Sequence, residues 1–415
     1  MSEQALSGLK VVEFTQGMAG PWIGRMLAWC GAQVVRIETR EAPGVVRLYI
    51  PPTDRAGGIQ PTRSPWLTDW DGGKLFVSLN LKRPGGLALA KRLIAWSDVV
   101  VENHRHGAME RLGLSWDTMQ EANPSLIALH SSGFGDGGVH PDYVTWGPNV
   151  EAMSGMAAAS GFPHREGAMT QYAYPDSLSA LHGLFAVLCA LDHRDRTGES
   201  QRITLAQFET TTAMLGPLMM QQIAEGHASE KQGNRSLHRA PQGCYPCLGE
   251  DRWCALSIGS LSEWETLCHL IDRPEWSRDE TLQSIQDRLE QADTIDEAIS
   301  AWTQQRTAHE AAEQFQAAGL AAGAVQNTED QYTRDPHLAE RGYFERIPHL
   351  TLGEVVAPGI PLGLTATPGG TSRAGADLGE DNLHVFRDLL GLSEQEYDEH
   401  IETGAIEESP TKSTT

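Results

Sequence analysis

Much is scarce in this chain of 415 residues, and each scarcity closes a route. Six cysteines are too few for a disulfide scaffold, and Cys30, Cys189 and Cys268 sit in apolar helical patterns where buried thiols are common. Cys244 and Cys247 form a C-x-x-C pair with Cys254 following, yet no fourth zinc ligand has an obvious place, so all three read as strand and turn cysteines and no metal is expected. Basic residues are outnumbered, 32 Lys and Arg against 55 Asp and Glu, giving a net charge of −23. That field repels nucleic acid and anionic lipid, and neither is an expected partner. No run of 18 apolar residues suggests a bilayer span, and the polar opening MSEQALSG, which leads straight into a strand, makes the cytoplasm the expected location. The signatures G-x-x-x-x-G-K-S/T, H-E-x-x-H and G-x-S-x-G are all missing, which sets aside the P-loop, zincin and α/β-hydrolase readings.

What is present alternates in period. LKVVEF reads as a strand, AGPWIGRMLAWCG as a helix with Pro in its first turn and Gly at its end, and AQVVRIE as a second strand. The helix GGLALAKRLIAW, the strand SDVVVEN, the helix LSWDTMQEAN and the strands SLIALHSSGFG and QRITLA continue the series. Alternation of this kind predicts an α/β, doubly wound parallel sheet, whose ligands bind beyond the carboxyl ends of the strands. The ends to watch are therefore 15–20, 38–40, 103–107 and 131–138. The last of these, SSGFGDGG, is glycine-rich but follows a late strand, so it does not predict a nicotinamide site. From about Gly233 shorter strands and amphipathic helices predict a second, smaller α+β unit, as expected when a chain exceeds about 250–300 residues. After Asn327 the pattern is loop-rich and strand-like, with a single helical pattern at HVFRDLLGL and a polar tail.

Asp176 stands before a long apolar helix pattern, SLSALHGLFAVLCA. A helix N-cap explains it at about 1 kcal/mol. A carboxylate nucleophile explains it equally, because a group with an ordinary pKa of about 3.9 is ionised at pH 7 and needs no general base.

The order of LSGLKVVEFTQGMAGPWIGRMLAWCGAQVVRIE, SLNLKRPGG, DVVVENHRHGAMERLG, WGPNVEAMSGMAAASG, YPDSLSALHGLFAVLCALDHRDRTGESQ and GNRSLHRAPQG resembles the class III CoA-transferase family, the CaiB/BaiF type that includes formyl-CoA transferase. The resemblance implies a Rossmann-like large domain built from residues 1–225 and 329–405, a small domain at 226–328, a flexible tail at 406–415 and an interlocked homodimer. It implies Asp176 as the catalytic nucleophile, acylated as a mixed anhydride and then carrying CoA as a thioester. It implies CoA contacts from Gln16, Gly17, Met18 and Ala19, from Thr39 and Arg40, from Leu79 and Lys82, and from Asn103, His104 and Arg111. Coenzyme A would be a substrate and product, with no permanently bound cofactor, and the partners would be an acyl-CoA and a carboxylic acid. Oxyanion donors are expected from the turn 16–20 and the loop 131–138. Arg47, His106, His140 and His238 are candidates for an acidic substrate, with solvated side chains as the plainer account. An acyl-CoA racemase on the same fold is the alternative, but Trp146 and Gly147 stand where racemases carry a His-Asp pair, and Trp cannot act as a base. A CoA-binding protein without activity is the third reading.

Overall fold

The computed structural model describes residues 3–48, 64–170, 172–227, 231–349 and 352–408. The chain divides into two compact units, one from 1–157, 169–226 and 339–415, the other from 158–168 and 227–338. The resemblance implies a second unit at 226–328; in the structure its helices run further, and 158–168 belongs with it.

The first unit is built on six strands, β1 (Lys10–Phe14), β2 (Gln33–Glu38), β3 (Leu75–Ser78), β4 (Val99–Glu102), β5 (Ile127–Ser132) and β6 (Gln201–Ala206). Helices α1 (Ala19–Trp29), α2 (Pro65–Asp71), α3 (Pro84–Trp96), α4 (Ala108–Arg111), α5 (Trp116–Ala122), α6 (Gly147–Met153), α7 (Met156–Ala159) and α8 (Tyr174–Thr197) lie between them. Every pairing is parallel, in the order β3-β2-β1-β4-β5-β6. Because both faces are covered, successive strand residues are apolar in both directions. Val11, Val34, Val99, Ile127 and Leu129 pack under α1 and α8, whereas Val12, Val35, Val77, Val100 and Ala128 pack under α3. The strand order reverses between β1 and β4, which opens a crevice at their carboxyl ends.

Helix α8 is long and apolar enough by composition to cross a membrane, but its Ala180, Val187, Ala190 and Leu191 belong to the core under the sheet. Gly183 permits that approach: a Cβ there would lie 2.8 Å from Ile23 and 3.1 Å from Leu129. The pattern after β6 predicts one long helix. The structure has two, α9 (Gln207–Ala213) and α10 (Gly216–Glu225), because Pro217 cannot continue a helix and opens a new one.

Six ionisable side chains are buried beside β1–β3. Lys74 Nζ lies 2.8 Å from both Glu13 Oε2 and Asp71 Oδ1, Arg36 pairs with Asp71, and Arg47 Nη2 lies 2.6 Å from Glu38 Oε2. Three acids match three bases, the condition for keeping charge out of water. Arg47, a candidate for an acidic substrate, is thus committed to Glu38 and is 1% exposed. Burial pushes Glu38 and Asp71 upward, but Arg47 and Arg36 outweigh it and hold both below the usual carboxylate range.

In the second unit, β7 (Gln242–Pro246), β8 (Trp253–Ser257) and β9 (Ala321–Ala324) form an antiparallel sheet beside α11 (Leu261–Leu270), α12 (Ile285–Glu290), α13 (Ala292–Thr303) and α14 (Ala308–Ala317). Trp264, Leu267, Ile299 and Phe315 fill its core. Cys244 is exposed on β7, while Cys247 and Cys254 are buried free thiols. Among the described residues no group of three or more His, Cys, Asp or Glu is placed to hold a metal ion.

The segment that reads as loop-rich after Asn327 holds more structure than expected. Asn327 caps α15 (Thr328–Thr333), α16 (Pro336–Glu340) follows, and β10 (Phe344–His349) and β11 (Gly353–Pro358) form a hairpin. A π-helical turn, His384–Leu389, covers the expected helical pattern, and a further helix, α17 (Glu394–Glu402), goes beyond the expectation because only Tyr397 and Ile401 give it an apolar side, packed against the core. Its S-x-x-E capping box, Ser393 with Glu396, is the available signal. The expected tail from 406 starts too early: Ile406 is buried and bridges Leu79, and Glu407 accepts from Ser78 Oγ at 2.6 Å. Residues 409–415 lie outside the described residues.

Candidate active site

The carboxyl ends of β1, β4, β5 and β6 meet a cavity of about 270 Å³. Gln16 and Gly17 enter it after β1; Asn103, His104 and Arg105 enter after β4. The two loops are tied together by the amide of Asn103, whose Oδ1 accepts the Gln16 N–H at 2.7 Å and whose Nδ2 donates to the Gln16 carbonyl at 2.8 Å. Gly17 has φ +66, a conformation that suits glycine. Ser131, Ser132 and Gly133 form a third wall. Gly133 has no substitute, since a Cβ would come 1.9 Å from Thr145 Oγ1, itself part of the lining. Tyr143, Val144 and Trp146 make the apolar side.

Asp176 stands at the floor of this cavity. It is the third residue of α8, with Ala173 at the cap position, so the expected N-cap role is corrected: the carboxylate does not cap its helix. Gln207 Nε2 donates to its Oδ1 at 3.4 Å. Burial pushes the Asp176 carboxyl up from 3.8 to about 6, against the opposing pull of Gln207, the Ala19 N–H and its own N–H. A Cβ at Gly147 would lie 2.3 Å from Asp176 Oδ2; the bare glycine is what leaves the carboxylate its place. Burial also lowers the His104 imidazole, with Glu102 pulling the other way. The floor therefore offers a weakly solvated carboxylate facing backbone N–H and amide donors, an arrangement suited to attack on a carbonyl and to holding the resulting oxyanion.

The structure brings Gln16, Gly17, Asn103, His104 and Asp176 into one cavity and adds the Ala19 N–H to the carboxylate. Met18 is 4% exposed, and its side chain belongs to the core. Thr39, Arg40, Leu79 and Lys82 stand at the ends of β2 and β3, outside the cavity lining. There Thr39 Oγ1 and the Arg40 N–H bond Glu407, and Lys82 Nζ lies 2.7 Å from Glu41. Leu79 is fully buried and its N–H bonds the Glu38 carbonyl at 2.8 Å, so the expected CoA contact from Leu79 is corrected: it is out of reach of a ligand. Arg111 ends α4 with an exposed side chain. His106 pairs with Asp136, His140 stacks on Tyr143 at 4.2 Å, and His238 is exposed in the second unit. Of the two expected sources of oxyanion donors, the 16–20 turn reaches Asp176 through Ala19, while the 131–138 loop divides, Ser131–Gly133 lining this cavity and Gly135–Gly138 a neighbouring one. Sequence reasoning missed Gln207 and covered Arg105 only as part of the strand end 103–107; the signal for Gln207 was its position directly after the strand QRITLA.

A doubly wound α/β sheet with a carboxylate at its switch-point crevice defines the class: a nucleotide-type binding fold adapted to acyl chemistry. The family model described as CoA-transferase family III matches residues 6–382, and the chain belongs to that family; it is an enzyme that transfers CoA. It is 31% identical over 391 residues to a succinyl-CoA–D-citramalate CoA-transferase of Chloroflexus aurantiacus, spanning 94% of this chain and 95% of that one. It is 27% identical to a succinate–glutarate CoA-transferase of Agrobacterium fabrum, over 92% and 95% of the two chains. A formyl-CoA:oxalate CoA-transferase of Afipia carboxidovorans is also 27% identical, over 98% and 99%. Among solved structures, a CAIB/BAIF family protein from Brucella suis superposes with a TM-score of 0.85 at 25% identity, covering 93% of this chain and 100% of that one.

Proposed function

We propose that the protein moves CoA from an acyl-CoA to a carboxylic acid with Asp176 as the covalent carrier. Asp176 Oδ attacks the thioester carbonyl, the C–S bond breaks, and CoA leaves as thiolate from the acyl-aspartyl anhydride. The thiolate then attacks the aspartyl carbonyl, releasing the donor acid and leaving an aspartyl-CoA thioester. The acceptor carboxylate attacks that thioester and expels the thiolate, which takes the new acyl group and restores Asp176. One observation carries this reading: a carboxylate raised to about 6 by burial, yet exposed to a cavity and met by the Ala19 N–H. At pH 7 it is about nine-tenths ionised and poorly solvated, which favours nucleophilic attack. Gln207 and Ala19 N–H stabilise the tetrahedral oxyanions.

CoA lies along the carboxyl edge of the sheet, with Gln16, Gly17, Asn103 and His104 around its reactive end. Thr39, Arg40, Lys82 and Arg111 flank the nucleotide. The acids are small dicarboxylates, a class supported by the succinyl-CoA, D-citramalate, glutarate and oxalate in the names of the relatives. Among the described residues Arg105 is the only Arg or Lys of the cavity lining, and it takes the distal carboxylate. The working form is a cytoplasmic homodimer; exposed Leu181, Phe185 and Leu188 on α8 and Met219, Met220 and Ile223 on α10 support a second copy covering these helices. Incubation with succinyl-CoA and hydroxylamine tests the mechanism: a hydroxamate on the peptide carrying Asp176 is expected. Turnover of succinyl-CoA and acid with that peptide unmodified would refute it, and solvent deuterium at the α-carbon would point to the racemase.

A further inference from the structure

Behind the cavity wall lies a group of charges that the acyl-transfer steps do not use. His130, the fourth residue of β5, is 5% exposed. Its Nδ1 bonds Glu102 Oε1 at the end of β4, and its Nε2 lies 3.0 Å from Asp136 Oδ1 in the loop after β5. Nδ1 is hydrogen-bonded, whereas Nε2 makes no hydrogen bond and meets Asp136 by charge alone; a carboxylate beside each nitrogen favours the imidazolium, which carries a proton on both. The carboxylates are held in turn. Asp136 Oδ2 lies 2.5 Å from Arg202 Nη2 on β6, its Oδ1 lies 3.0 Å from His106 Nδ1, and Glu102 Oε2 accepts the His104 N–H at 2.9 Å. A single buried ring thus joins the loop that carries His104 and Arg105 into the cavity to the loop that begins at Gly133. Packing alone does not fix it, for a void of about 20 Å³ lined by Glu102, Met109, Leu114, Trp116 and Leu129 borders the ring.

We infer that His130 is a positioning residue for the transferase: as an imidazolium it braces Glu102 against Asp136 and so sets the separation of the two loops that flank Asp176. This rests on the reading of the Asp176 cavity as the site of acylation. The charged and titratable groups that face the ring are Glu102, His104, His106, Asp136 and Arg202. Burial opposes its charge, but the bond and charge of Glu102, helped by Asp136, prevail and raise its pKa above the ordinary imidazole value. A raised histidine contributes its stabilisation below the unfolded pKa and loses it as pH rises through the folded one. The brace therefore weakens on the alkaline side.

The test measures hydroxylamine-trapped acylation of Asp176 in the parent, His130→Gln, Asp136→Asn and the double variant, across pH. Each single change is expected to slow trapping roughly 10–100-fold, the range for loss of sub-ångström placement, with the double variant no slower than the worse single one. The alkaline decline that the parent owes to His130 should vanish in His130→Gln. If the parent traps and His130→Gln traps within twofold of it, or if the losses multiply in the double variant, the inference is overturned while the transferase reading stands. A parent that does not trap removes both. Should His130→Gln fail to fold, Asp136→Asn decides alone, and trapping within twofold of the parent overturns the brace.

Discussion

Replacing Asp176 by Asn separates a nucleophile from a scaffold residue through two measurements of opposite sign. Unfolded, the carboxyl titrates near 3.8; folded, near 6. Between those values the native state binds more protons than the unfolded state, so stability falls as pH rises through the interval. Above 6 the buried charge costs at most about 3 kcal/mol, since each tenfold weakening of the acid is worth about 1.4 kcal/mol. Below 3.8 the cost is absent. Asn is neutral throughout and fits the same space, so the variant should be more stable than the parent at pH 7.5 and equal to it near pH 4. With an unfolding entropy of about 2 cal/mol/K per residue, a unit of about 300 residues changes its melting midpoint by roughly 5 °C for that energy. Activity should move the other way, falling roughly 10³-fold or more at pH 7.5, while the parent's kcat/KM declines as pH drops through about 6. Differential scanning fluorimetry across pH, paired with steady-state assays using succinyl-CoA and a dicarboxylate, reads both effects. An Asn variant that melts below the parent at pH 7.5, or keeps its rate, would refute the argument that this carboxylate is held at a stability cost for reaction.

Two further outcomes are expected. Gly147→Ala places a Cβ 2.3 Å from Asp176 Oδ2 and 2.9 Å from the Ala173 Cβ, so the carboxylate must turn away, and single-turnover CoA release should slow roughly 10–100-fold; an unchanged burst rate would show that the glycine is incidental. Lys74→Met leaves Glu13 and Asp71 buried beside an apolar chain, and removal of one partner from a buried ion group costs about 3–5 kcal/mol; a thermal midpoint equal to the parent's would mean that the cluster relaxes or admits water.

The sequence by itself determined the parts that depend on local period. Continuous apolar runs such as VVEF and VVRIE, separated by helices with Pro at their starts, specify a parallel sheet with both faces covered, and the order of motifs points to the family and to Asp176. Polar α17 and capped α15 escaped because their apolar signal is weak, although Ser393 and Asn327 carried the caps. The site was legible where backbone turns follow strands, at Gln16, Gly17, Asn103 and His104. What only the tertiary structure decided are the quantities set by neighbours far apart in the chain. Burial and the Ala19 N–H fix the pKa of Asp176 across more than 150 residues, and Gly147 makes room for its oxygen. Arg47 and Leu79 are taken out of reach of a ligand, and His130 finds a carboxylate at each nitrogen. Periodicity reports which face of an element turns inward, but electrostatic energy depends on distance and on excluded water, and neither exists until the chain has closed on itself.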